Sequence, residues 1–275
     1  FVSFAVKVPM VPFHTWLPDA HVQAPTAGSV MLAGILLKLG GYAFLRVSLP
    51  MLPGASEYFA IYVLWISGFA VIYASLVALA QTDMKKMIAY SSVAHMGYVT
   101  AGIFSFTVIG IGGAVFQMIS HGVISSALFL IVGMLYERHH TKEIAKYGGV
   151  AASMPVLATF FMIAMLGSVG LPGLSGFVGE FLSIVGVFEV NPMVGIICAF
   201  GVILGAVYML KLYKSVMFGE ASDALIIKFD DLKAYEKTAL IPLMLLIIYI
   251  GLVPNGILET INIPARNLAE MYGAL

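Results

Sequence analysis

Five ionisable side chains stand in apolar surroundings: Lys7 in FAVKVPMVPFHTWLPDAH, Lys38 in LAGILLKLGGY, His95 in AYSSVAHMGYV, His121 in FQMISHGVISS and Glu180 in GFVGEFLSIVG. Residues 24–45 carry no charge but Lys38, and residues 154–188 none but Glu180. Holding a charge at the centre of a bilayer costs at least about 2.5–3.5 kcal/mol. Groups retained against that cost usually face a polar interior and act there. Amine, imidazole and carboxylate all gain and lose protons. In low dielectric a lysine holds its proton weakly, and an approaching anion strengthens the hold. The chemistry these residue types offer is proton transfer by switchable groups.

Polar neighbours fit that chemistry. Gln117, His121 and Ser125 recur at i, i+4 and i+8 and share one helix face. Ser91 and Ser92 precede His95 by about a turn and Tyr98 follows by about a turn, all able to bond water or pass a proton. Each residue also has a structural reading. Lys38 can snorkel to an interface, the two histidines can be neutral packing groups, and Glu180 can cap the helix that follows a break, where its anion is favoured. Lys7 lies too near the start of the sequence for its depth to be read. His14 and His21, with Trp16 and Asp19, read as structural groups at an interface around the first proline breaks.

Other candidates carry less. Cys198 is the sole cysteine and sits in an apolar run, so it forms no internal disulfide and cannot hold an iron–sulfur cluster, which typically needs four. His139 and His140 belong to the polar loop YERHHTKEIAKYGG and read as loop residues rather than metal ligands. Gly110-Ile111-Gly112-Gly113 opens no βαβ unit, and it reads, with the Gly201/Gly205 pair, as close helix packing. There is no phosphate-cradling glycine loop, no HExxH and no nucleophile elbow.

The elements that must position the five residues are membrane helices. Of 275 residues, 61% are hydrophobic and 10% charged, with a mean hydropathy of +1.01. A soluble domain is about 25% charged, so the solvent of this chain is lipid. Apolar runs of spanning length are expected near 24–46, 57–80, 86–106, 108–136, 154–188, 193–213 and 238–258, after a partial helix near 1–10. Two helices are expected to be discontinuous. One breaks at Pro9, Pro12 and Pro18, the other at Gly167, Gly170, Pro172, Gly173 and Gly176. Unwound backbone at membrane depth survives only where it is buried or lines a cavity, so such breaks point to an ion pathway. The expected fold class is an all-α, polytopic transmembrane helical bundle.

Charge placement sets orientation. Lys85, Lys86, Arg138, Lys142, Lys146, Lys211, Lys214, Lys228, Lys233 and Lys237 fall on one side under strict alternation of spans, and only Arg46 and Arg266 on the other. That bias assigns the first side to the cytoplasm, or to the matrix in a mitochondrion. The net charge is zero, and nothing points to nucleic acid. The sequence opens at Phe1 within an apolar stretch and lacks a basic n-region and cleavage site, so its start reads as the interior of a membrane helix.

Four stretches resemble one family closely: residues 7–46, QTDMKKMIAYSSVAHMGY (81–98), FQMISHGVISSALFLIVGMLYERHHTKEI (116–144) and GLPGLSGFVGEF (170–181). They are similar to the antiporter-like, proton-translocating subunits of respiratory NADH:quinone oxidoreductase, complex I. The likeness covers the chain to about residue 220 and is more diffuse beyond. It implies a fold with two inverted repeats, each holding a broken helix. Residues 1–46 would end the first repeat, 57–219 form the second, and 236–260 be the final transmembrane helix of a single membrane domain. It implies a proton path through Lys7, Lys38, His95, His121 and Glu180, supported by Ser91, Ser92, Gln117, Ser125, Pro9, Pro12 and Pro172. Glu180 occupies a position that is usually lysine in two sister subunits. The family pairs the lysine at position 7 with a glutamate on an earlier helix, which this sequence does not contain.

The resemblance further implies no cofactor or metal in this chain, with NADH, FMN, iron–sulfur clusters and quinone in the rest of the complex. Partners would be other membrane subunits, sister antiporter-like ones among them, together with the lipid bilayer and protons. The site would be a bacterial plasma (inner) membrane or a mitochondrial inner membrane. Two rival readings share these motifs: a subunit of a multisubunit cation/proton antiporter or membrane-bound hydrogenase, and an inert structural remnant.

Overall fold

The computed structural model describes residues 1–220 and 229–273. Among these residues the chain is helical, and the only extended pairing is an isolated bridge between Asp83 and Glu143. A short helix α1 (Val2–Lys7) is followed by an irregular stretch and α2 (Trp16–Gln23). Pro9 and Pro12 fall in that interruption, whereas Pro18, expected to share it, sits in the first turn of α2, where a missing N–H costs no helical bond. The Trp16 indole N–H spans the break to donate to the Val6 carbonyl at 3.0 Å.

Next come α3 (Thr26–Met51), α4 (Pro53–Leu79), α5 (Met84–Phe104) and α6 (Val108–His139). Side chains cap several of them. Asp83 accepts from the Lys86 amide at the start of α5, and Thr107 from the Gly110 amide at the start of α6. The second broken helix consists of α7 (Pro155–Val169) and α8 (Ser175–Val190). Gly170 and Gly173 take φ values of 78° and 93°. The Gly170 and Leu171 amides fold back on the carbonyls of Gly167 and Leu166, so α7 ends in a left-handed glycine cap. Helices α9 (Pro192–Met217), α10 (Ala234–Leu252) and α11 (Asn255–Glu270) complete the order.

Among the described residues, five helices are long and apolar enough to cross a membrane: α3, α4, α6, α9 and α10. Helix α5 lies at the centre of the bundle against α4 and α6, and nearly all of its side chains are buried, so its serines and histidine never meet lipid. One apolar core surrounds Met84, Met87, Phe129, Phe161 and Tyr213, and another Leu37, Phe44, Val71, Val99 and Phe104. Phe200, Ile203, Val207 and Leu210 stand exposed on α9, and Tyr58, Phe59, Tyr62 and Trp65 on α4, as side chains immersed in hydrocarbon or at its edge do.

Two features were not expected from sequence. Helix α3 is not uniformly α-helical: Leu32–Leu36 and Phe44–Ser48 are π-helical, with i→i+5 bonding. Helix α11 is strongly amphipathic and packs along α6 after a break at Pro254, so the final span expected over 236–260 ends at Leu252. Tyr272 beyond it donates to the Leu49 carbonyl at 2.8 Å and stacks on Phe106.

The lysines gather as the charge bias requires. Lys85 donates to the Ala24 carbonyl at 2.9 Å, Lys142 to Val22 at 2.6 Å and Lys211 to Leu79 at 3.2 Å, all at one end of the bundle. At that end the Met84 amide bonds the Lys142 carbonyl and the Ile144 amide bonds Thr82, tying two loops together. Arg46 lies at the other end, sharing a cavity with Ala265 and Asn267 of α11. Lys228 lies outside the described residues.

Candidate functional site

Four of the five singled-out residues meet in the bundle interior. The Lys38 Nζ stands 2.7 Å from His121 Nδ1, joining α3 to α6, and also donates to the Ala33 carbonyl. That carbonyl belongs to the π-helical turn Leu32–Leu36. The rings of His121 and His95 lie 5.3 Å apart, bringing in α5. His95 Nδ1 then approaches Glu180 Oε1 of α8 at 2.7 Å, a charge contact rather than an aligned hydrogen bond. His95 Nε2 lies 3.2 Å from Ser168 Oγ at the end of α7.

Glu180 is 4% exposed, and burying a carboxylate without partners is prohibitive. Its second partner is the Gln117 Nε2, which donates to Oε1 at 3.0 Å. The backbones of α6 and α8 come close enough for this because residue 179 is glycine: a β-carbon there would sit 2.7 Å from the Gln117 amide nitrogen and Cα. Glu180 lies in the second turn of α8, near its positive end, while Lys7 is the last residue of α1, at its negative end.

Lys7 is not joined to the chain. It is half-buried, and among the described residues no ion pair or hydrogen bond reaches its ammonium group. The supporting residues divide. Ser91 and Ser92 both donate to the Ile88 carbonyl of their own helix at 2.7 and 3.1 Å, and Ser125 makes only a long 3.5 Å contact to Gly122. Tyr98 donates to the Cys198 carbonyl at 3.0 Å instead of bonding His95. Pro172 lies in the turn between α7 and α8.

Sequence reasoning missed Ser168, although a serine directly before the Gly170 break was a signal that a polar group ends the half-helix. It also placed His14 and His21 at an interface. Both are buried, at 3% and 0% exposure, the first edge-on to Tyr73 and the second stacked on Phe129. No group of three or more potential metal ligands occurs among the described residues.

A helical bundle whose interior brings together two contacts between ionisable groups, Lys38 with His121 and His95 with Glu180, beside a discontinuous helix, defines a class: multi-pass membrane proteins with an internal array of ionisable groups. Comparison with known proteins narrows it. The chain belongs to the family described as NADH:quinone oxidoreductase/Mrp antiporter, transmembrane, which matches residues 1–206. The resemblance drawn from the sequence is thereby borne out.

Over 272 residues the chain is 70% identical to the NADH-quinone oxidoreductase subunit M of Rickettsia bellii, covering 99% of this chain and 55% of that protein. It is 51% identical over 270 residues to the NADH-ubiquinone oxidoreductase chain 4 of Marchantia polymorpha, covering 98% of this chain and 54% of the relative. Among solved structures it is similar to a chain of respiratory complex I from Thermus thermophilus, with a TM-score of 0.92 and 33% identity. That alignment covers 98% of this chain and 57% of the other. The chain thus spans about half the length of the relatives it matches.

Proposed function

We propose that the chain works as a proton-translocating membrane subunit of an NADH:quinone oxidoreductase, of the subunit M kind, in a bacterial inner or mitochondrial inner membrane. The observation that carries this reading is the file Lys38–His121–His95–Glu180, with contacts of 2.7 Å at each end and 5.3 Å between the ring centres. A charge arriving at one end changes the proton affinity of the next group, so protonation passes along the file without any redox group in this chain. Residues 1–46 would close a first repeat, 57–219 form a second and Ala234–Leu252 the last span, with other membrane subunits of the complex as partners. NADH oxidation, the flavin, the iron–sulfur clusters and quinone would reside in other subunits. Lys7 would serve a half-channel completed by an acidic residue of an earlier helix.

High identity to proteins named for NADH–quinone oxidoreduction favours this over a cation/proton antiporter subunit. Lys38 and the buried Glu180, each with a partner, weigh against an inert remnant. The test is Glu180→Gln in closed vesicles carrying the full assembly. Pumping and coupled quinone reduction should fall by about tenfold or more, on the scale of lost acid–base groups, while NADH oxidation by an artificial acceptor persists. Unchanged pumping would remove Glu180 from the path.

A further inference from the structure

We propose that Ser168 is a positioning residue for the His95–Glu180 pair, its hydroxyl holding the imidazole by the nitrogen that the carboxylate leaves free, in both protonation states of the ring. The proposal rests on the proposed function and deepens it, giving the break between α7 and α8 a task at the site.

The two halves of one broken helix engage the two nitrogens of one ring. His95 Nδ1 lies 2.7 Å from Glu180 Oε1 of α8, and Nε2 lies 3.2 Å from Ser168 Oγ of α7. Unbroken helix would set Ser168 and Glu180, twelve positions apart, about 18 Å from each other along its axis. The turn after Gly170 removes that separation. Residues 167 and 176 lie so close that a β-carbon on Gly176 would collide with the Gly167 carbonyl. Ser168, His95 and Glu180 are all buried.

A serine within a helix readily gives its hydroxyl to the carbonyl a turn behind it, as Ser91 and Ser92 do here. Among the described residues the Ser168 hydroxyl bonds His95 alone. A hydroxyl suits that place because it both donates and accepts. When the ring is neutral with its proton on Nδ1, beside the carboxylate, Nε2 is a lone pair and the serine donates to it. When the ring is charged, the Nε2 N–H donates and the serine oxygen accepts. Rotation about the Cβ–Oγ bond turns one arrangement into the other, so neither state leaves this buried nitrogen unpaired. The proton itself moves between Nδ1 and Oε1, and Ser168 exchanges none. Alanine would serve neither state.

The test is the quinone reductase rate of the purified, assembled complex. Ser168→Ala removes a single oxygen atom and should slow the rate about three- to tenfold, the scale of one lost hydrogen bond. Ser168→Thr keeps the hydroxyl and should keep most of the rate. Because Ser168 acts through His95, Ser168→Ala should slow the complex no further once His95→Gln has removed the ring. A normal rate for Ser168→Ala overturns the proposal, and so does an assembled Ser168→Thr complex as slow as Ser168→Ala. Should Ser168→Thr not assemble, the double variant decides: the same loss on top of His95→Gln marks a packing role and overturns the proposal. A full rate for Glu180→Gln in the same preparation would instead overturn the proposed function, which separates the two failures.

Discussion

Lys38 and His121 face each other at 2.7 Å across the α3–α6 contact, and the lysine reaches the histidine from directly after a π-helical turn. Either nitrogen can be the donor, according to the tautomer of the ring. Two nitrogen bases that share one hydrogen bond can exchange its proton with little movement.

From that pairing, Lys38→Arg is expected to fail. Arginine, with a pKa above about 12, stays protonated, whereas lysine can release its proton to a neighbour. If Lys38 were only a fixed charge or an interfacial anchor, arginine would replace it well. The measurement is pumping by Lys38→Arg and Lys38→Ala at matched assembly levels, and both should be severely impaired. An assembled Lys38→Arg enzyme that pumps normally would contradict the switch.

The gathering of lysines at one end makes a labelling prediction. A cysteine at position 142 should react with a membrane-impermeant thiol reagent only from the cytoplasmic or matrix side. One at position 266 should react only from the opposite side. Labelling of both from one side would invert part of the topology.

The close approach of α8 to α6 at Gly179 predicts a packing defect. In Gly179→Val the new side chain meets the Gln117 backbone, and separating the helices pulls Gln117 from Glu180. Overpacking of this kind costs about 1–3 kcal/mol. The thermal midpoint of the assembled complex should drop and quinone reductase activity fall with it. Gly112→Ala, where a β-carbon would meet nothing within 4 Å, should leave both unchanged.

Arg138 and Glu236 form a bidentate pair, 2.8 Å on each arm, with side chains 13% and 3% exposed. Removing the arginine strands a buried carboxylate, a change worth about 3–5 kcal/mol. Arg138→Met should therefore reduce the amount of assembled complex. Adding Glu236→Leu should recover much of it, because the stranded charge is then gone. Blue-native gels of the three strains would show whether it does.

Much of this architecture was legible because lipid imposes strict rules. Runs such as 57–80 and 193–213 have no alternative to spanning helices, and isolated charges such as Lys38 and Glu180 stand out against them. Breaks were legible where glycine and proline made them, at Pro9, Pro12, Gly170 and Pro172. The π turns of α3 were not, because LAGIL and FLRVS contain nothing that ordinary α-helix lacks. The first of them packs against α6, a long-range contact that local sequence does not announce. Ser91 and Ser92 misled because spacing gives the face of a helix but not the rotamer, and a serine hydroxyl is readily taken by the carbonyl a turn behind it. His21 was misplaced because the polar residues around it suggested a surface, and burial of α2 beneath two loops is a long-range fact.

The tied loops at the lysine-rich end also govern how this machine can move. Backbone bonds between 82–84 and 142–144, reinforced by the lysine grips on Val22 and Ala24, weld three connections into a stiff end plate. Slack is found instead midway along α3, where each π turn stores one residue more than an α-turn needs. Returning Leu32–Leu36 to α-helical register would swing the following residues by about 100°, one residue's rotation. Lys38 lies just past that turn, so such a change of register would carry the central amine with it.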